Sequence, residues 1–170
     1  MKGSSKAIAL CGIMAALSVV LMVLGNLLGI GMYAGPMLAG LCLTPVGHKY
    51  GGKYHLALWA GVSILSFILV TNIEQNLIFL CLFGLYPILY PSFQKLPKVW
   101  RMMVKLLYFN MVIVALEMLI ILILVPETMG TLLMIIMLLM GNFIFLCYDF
   151  LVPRAEFLIK KYLGKLWKYF

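Results

Sequence analysis

Apolar side chains run almost unbroken over residues 7–24, 27–46, 55–73, 76–91, 104–125 and 131–152, and short polar or glycine-containing segments separate the runs. At a rise of about 1.5 Å per residue, a helix of about 20 residues crosses a hydrocarbon core of roughly 30 Å. None of the runs shows the alternation of a barrel strand, and backbone amides in lipid must find partners within their own segment. Each run therefore predicts a transmembrane helix. The expectation is an all-α integral membrane protein, a single membrane domain of six crossings over residues 1–170.

Composition agrees with this pattern. Of the 170 residues 65% are hydrophobic and only 11% are charged, far below the charged fraction of about 25% usual for soluble domains. The first run, "AIALCGIMAALSVVLMVLG", is longer than the apolar core of a secretory signal, and five more runs follow it, so it reads as a crossing. The four cysteines, Cys11, Cys42, Cys81 and Cys147, fall in four different runs with no CxxC spacing. They read as free thiols in the apolar interior rather than as a disulfide or metal set.

Charge placement orients the chain. The thirteen Lys and Arg residues precede the first run (Lys2, Lys6), lie between the second and third (Lys49, Lys53), lie between the fourth and fifth (Lys95, Lys98, Arg101, Lys105), or follow the sixth (Arg154, Lys160, Lys161, Lys165, Lys168). All fall on one face if the runs are crossings. The opposite loops, at 25–26, 72–75 and 125–130, contain no Lys or Arg and hold Glu74 and Glu127. The positive-inside rule then predicts both termini in the cytoplasm. A net charge of +8, which in a soluble protein would suggest nucleic acid, is accounted for by topology and by attraction to anionic membrane lipid. The tail 154–170 repeats apolar Phe157, Leu158, Tyr162, Leu166 and Tyr169 or Phe170 between lysines, which predicts a basic amphipathic helix at the interface.

Within "NMVIVALEMLIILIL", residues 110–124, stands one carboxylate, Glu117, roughly 12 Å below the outer surface at helical rise. An ionisable group at that depth is costly and normally faces a cavity or a partner. Asn110 is seven residues earlier on the same face, and Asn142 and Asp149 repeat the spacing in the sixth run. For the two asparagines an interhelical contact is the leading reading, and for Asp149 a position at the headgroups or a pairing with Arg154. In "FGLYPILYP" the ring of Pro87 removes a backbone donor and loosens the helical ladder near Phe83. Tyr86 is deep enough to offer its hydroxyl to a ligand, whereas Tyr90, like Trp59, His48 and His55, reads as interfacial. Small residues in the first run form two rows, Ala7, Cys11, Ala15 and Ile8, Gly12, Ala16, that let another helix approach closely.

No Ser/His/Asp set, HExxH, phosphate-cradling glycine loop or dinucleotide fingerprint occurs, so the chain is not expected to be an enzyme or to carry a metal or cofactor. From about Lys6 to Lys161 the pattern of six crossings with inner termini, opened by "KAIALCGIMAALSVVLMVLG", resembles the substrate-binding S components of energy-coupling factor (ECF) vitamin transporters. The first helix of that family carries an AxxxA signature that contacts the coupling subunit. Here Cys11-xxx-Ala15 and Gly12-xxx-Ala16 stand in its place. The resemblance implies capture of a small molecule near the outer side by Glu117, Tyr86, Asn142 and Asn110. It also implies docking through Cys11, Gly12, Ala15 and Ala16 onto a transmembrane coupling protein that works with two ATPase subunits. The alternative expectation is a non-transport envelope scaffold or assembly protein of the MreD kind, in which Glu117 only holds helices together.

Overall fold

The computed structural model describes residues 2–28, 31–123, 131–158 and 161. Described residues are helical apart from short connections, and no strand occurs among them. The elements are α1 (Lys2–Leu27), α2 (Gly31–Tyr50), α3 (Gly52–Leu69), α4 (Ile73–Ile78), a π-helical turn (Phe79–Phe83), α5 (Tyr86–Phe93), α6 (Lys98–Ile123) and α7 (Thr131–Leu158). Five stretches are long and apolar enough to cross a membrane: Ser5–Leu27, Gly52–Leu69, Ile73–Phe93, Lys98–Ile120 and Leu138–Leu158. Helix α2 is not among them; within 20 residues it carries Pro36 and Pro45, with His48 and Lys49 in its last turn. The expected loop at 125–130 lies outside the described residues. So does the expected interfacial tail beyond Leu158, apart from Lys161.

Most helices overrun their apolar cores, because a helix does not stop where the hydrocarbon does. "GHKYGGKYH", expected to be a loop, is helical except at Gly51. That residue has φ of 90°, a left-handed conformation open to glycine at little cost. His48 and Lys49 close α2 in its last turn, where positive charge suits the negative end of the helix dipole.

The chain forms two compact units, Met1–Leu89 with Leu151–Phe170, and Tyr90–Phe150. The first is built around Leu10, Val19 and Met22 of α1, Ala39, Leu43 and Val46 of α2, Leu58 and Val62 of α3, Val70, and Phe79 of the π turn. With Cys11, Met14, Ala15 and Val23 packed against that core, the α1 positions recur at three- and four-residue steps, the stripe that a helix turns toward its neighbours. Ile8, Ile13, Val20 and Leu24 on other faces of the same helix are exposed. A helix oily all round has the surface expected in lipid.

The π turn has a local cause. Gly84 N–H, which in an α-helix would bond Leu80, instead donates to the carbonyl of Phe79 at 2.8 Å. Pro87, three residues on, brings no N–H to the ladder. The Leu80 carbonyl is taken by the indole of Trp59, Nε1 donating at 3.1 Å. Trp59 is thus a helix-to-helix tie within the first unit rather than a belt residue. Position 84 must be glycine for this approach: a Cβ there would stand 2.8 Å from Trp59 Cδ1 and 2.8 Å from the Phe79 carbonyl oxygen.

Candidate functional site along helix α6

In the second unit α6 and α7 run antiparallel, as their partners show. Lys105 meets Asp149, Phe109 meets Phe145, and Asn110 meets Asn142, so positions rise along one helix as they fall along the other. The hydrophobic part of the seam is the stacked pair Phe109–Phe145, with centroids 4.7 Å apart and planes 24° apart. Phe109 can lie there because Gly141 has no side chain to displace it; a Cβ would be 3.2 Å from Phe109 Cζ.

The two asparagines satisfy one another. Asn110 Nδ2 donates to Asn142 Oδ1 at 3.1 Å and to the Leu106 carbonyl at 2.8 Å. Asn142 Nδ2 donates to Asn110 Oδ1 at 2.9 Å and to the Leu138 carbonyl at 2.8 Å. All four amide N–H bonds are engaged, so neither residue keeps a side-chain donor for a ligand.

About a turn and a half along α6 in the opposite direction, Lys105 Nζ lies 2.5 Å from Asp149 Oδ1, with side-chain exposures of 6% and 20%. The same ammonium sits 4.6 Å from the centroid of the buried Tyr90 ring. Asp149 therefore has a partner inside the helix pair instead of only headgroups, and Tyr90 supplies an aromatic face to a cation rather than a place in an aromatic belt.

Glu117 lies two turns beyond Asn110 on the same face of α6, about 10 Å away at helical rise. It is half-buried and has no hydrogen bond or ion pair among the described residues. Tyr86, the first residue of α5, is fully buried and belongs to the first unit. Of the four residues expected at a ligand, the structure brings Asn110 and Asn142 into contact, sets Glu117 in line with them, and places Tyr86 in the other unit.

The small-residue rows of α1 separate. Cys11 and Ala15 pack against the core of the first unit, whereas Gly12 and Ala16 are exposed beside Ile8. A Cβ built on Gly12 meets nothing within 4 Å. Only the second row is open to another molecule.

Sequence reasoning passed over Gln75 and Asn76, which sit in what reads as the outer loop "NIEQ" and its continuation. They are 0% and 1% exposed. Gln75 Nε2 donates to the Met22 carbonyl at 2.9 Å, and Asn76 Nδ2 donates to the Val70 carbonyl at 2.9 Å. Their side-chain oxygens are buried with no hydrogen-bond partner among the described residues. His55, expected at the interface, is buried at 5% exposure with its ring against Gly47. The cysteines are free thiols, three half-buried and Cys147 exposed. No cluster of three or more His, Cys, Asp or Glu residues able to hold a metal occurs among the described residues.

No protein-family model, no curated protein and no solved structure matches this chain.

Proposed function

We infer that this chain is a membrane-embedded substrate-capture subunit that binds a small polar metabolite in the outer half of the bilayer, with Glu117 as its principal contact. In this reading α2 is the sixth crossing, both termini are cytoplasmic, and a transmembrane coupling protein with two ATPase subunits drives uptake. The observation that carries it is Glu117 itself, a half-buried carboxylate with no partner among the described residues, on a helix otherwise apolar from Met111 to its end. An unpaired acid at such depth is retained at a cost that a ligand's donor or cationic group would offset.

The satisfied Asn110–Asn142 pair is removed from the ligand set and holds α6 against α7. That same pair favours the second reading, an envelope scaffold whose polar groups serve helix packing alone. Purification from native membranes in mild detergent, with mass spectrometry of copurifying proteins and small molecules, separates the two. Capture predicts a bound metabolite, ATPase partners and a rise in melting temperature when that metabolite is added back. A protein with neither a ligand nor ATPase partners is the scaffold.

A further inference from the structure

Residues 94–100 form an unbroken exposed run between α5 and α6. Lys95, Lys98 and Arg101 stand in or beside it, and the sequence has no acid anywhere between Glu74 and Glu117 to balance them. Interleaved with these cations are large apolar side chains that nothing covers: Val99 at 71%, Trp100 at 63% and Met103 at 61% exposure.

The segment has a fixed shape. Backbone N–H groups of Gln94, Lys95 and Leu96 close onto the carbonyls of Tyr90, Ser92 and Phe93. Arg101 N–H donates to Pro97 at 2.9 Å, and its guanidinium holds Gln94 Oε1 at 2.5 Å. The cations are therefore presented on an ordered turn. Two of them, Lys98 and Arg101, sit in the opening turn of the 26-residue α6, and that turn contains no acid. Positive charge there opposes the positive end of the helix dipole. An external anion would relieve both repulsions at once.

We propose that this turn is a binding surface for the phosphate headgroup of anionic phospholipid. Lys95, Lys98 and Arg101 meet the headgroup, while Trp100, Val99 and Met103 enter the acyl boundary. The apolar residues select this occupant, because a free phosphate gains nothing from them and a polynucleotide, whose bases could stack on the indole, gains nothing from Val99 and Met103, whereas a lipid engages charge and all three apolar side chains together. The surface lies wholly within the second unit and does not depend on the capture reading.

The test is native mass spectrometry of the full chain released from micelles containing phosphatidylglycerol or phosphatidylcholine, with indole quenching by the brominated form of each lipid. Wild type is expected to retain phosphatidylglycerol preferentially, and the part of the emission lost in W100F to be quenched more by the brominated anionic lipid. Each neutralisation in K95Q, K98Q and R101Q is expected to weaken retention by about fivefold, more so at low salt. The charge-preserving variant K95R/K98R/R101K, with the same far-ultraviolet circular dichroism as wild type, should retain the lipid. Equal retention of the two lipids, an unchanged K95Q/K98Q/R101Q protein, or displacement by millimolar inorganic phosphate would overturn the proposal.

Discussion

Asn110 and Asn142 exchange hydrogen bonds in both directions, 3.1 Å one way and 2.9 Å the other, and each spends its second amide proton on a carbonyl of its own helix. The pair fixes the register of α6 against α7, since a slip of one residue would carry both amides away from each other. Asn110→Leu strands the partner amide and is expected to cost about 1 kcal/mol in detergent unfolding, the usual scale for such bonds between membrane helices. Because the double variant Asn110→Leu/Asn142→Leu leaves no orphan, its loss should be smaller than the sum of the single losses. Additive losses would mean that the two amides do not act together.

A stronger effect is expected at the Lys105 end of the seam. Lys105→Met leaves the Asp149 carboxylate without its ammonium, and Tyr90 without its cation. Removing one member of a sealed ion pair costs about 3–5 kcal/mol. Asp149 keeps 20% of its side-chain surface open, so a loss of about 2–3 kcal/mol is expected here. Lys105→Met/Asp149→Leu should recover most of that loss. The check is a double-mutant cycle by chemical unfolding in one detergent.

Gly84→Ala tests the tie across the π turn. The added methyl would meet Trp59 and the Phe79 carbonyl, both at 2.8 Å, and both contacts have to be relieved. A cost of about 1–3 kcal/mol is expected from overpacking. Trp59→Phe frees the Leu80 carbonyl instead, and a buried acceptor left unpaired costs about 1–3 kcal/mol. Thermal unfolding should show the double variant losing less than the two losses together, since without the indole one of the methyl's close contacts is gone and those to Phe79 remain.

How much of this was legible beforehand follows from what hydropathy measures. Apolar runs report depth in the bilayer, so the helices, the shared faces of Asn110 with Glu117 and of Asn142 with Asp149, and the weak ladder near Phe83 could be read from spacing alone. Azimuth within the bundle could not. Trp59, Tyr90 and His55 near the ends of runs have the composition of interfacial residues, yet Trp59 is tied to the π turn and Tyr90 and His55 are buried. Lys105, just inside the run 104–125, reads from its charge as a flanking residue, but its long stem lets the ammonium reach Asp149 from within α6. Gln75 and Asn76 look like loop residues because their polarity is read without the carbonyls of Met22 and Val70 that receive their amides.

The proposed topology, six crossings with both ends in the cytoplasm, predicts a labelling pattern. In a background lacking Cys11, Cys42, Cys81 and Cys147, Lys98→Cys and Lys53→Cys should react with a membrane-impermeant maleimide only after the cell is opened. Labelling of position 98 from outside intact cells would remove the basis for counting α2 as a crossing, and with it the orientation of the bundle.

Glu117 separates ligand capture from helix packing. Glu117→Gln keeps volume and hydrogen-bonding capacity but removes the charge. In the capture reading it should leave the melting temperature of the ligand-free protein within a few degrees of wild type. It should also weaken binding of the copurified metabolite by roughly five- to tenfold, the loss that follows when a charged contact worth about 1.5–3 kcal/mol is replaced by a neutral one worth about 0.5–1.5 kcal/mol. Glu117→Leu should go further, abolishing binding while raising stability, because the uncompensated acid is replaced by a side chain at home in lipid. The packing reading reverses that order: Glu117→Leu would destabilise the bundle and Glu117→Gln would be silent. Melting curves of the three proteins with and without the metabolite therefore decide between the readings by the sign of the leucine effect, even if the glutamine variant proves mild.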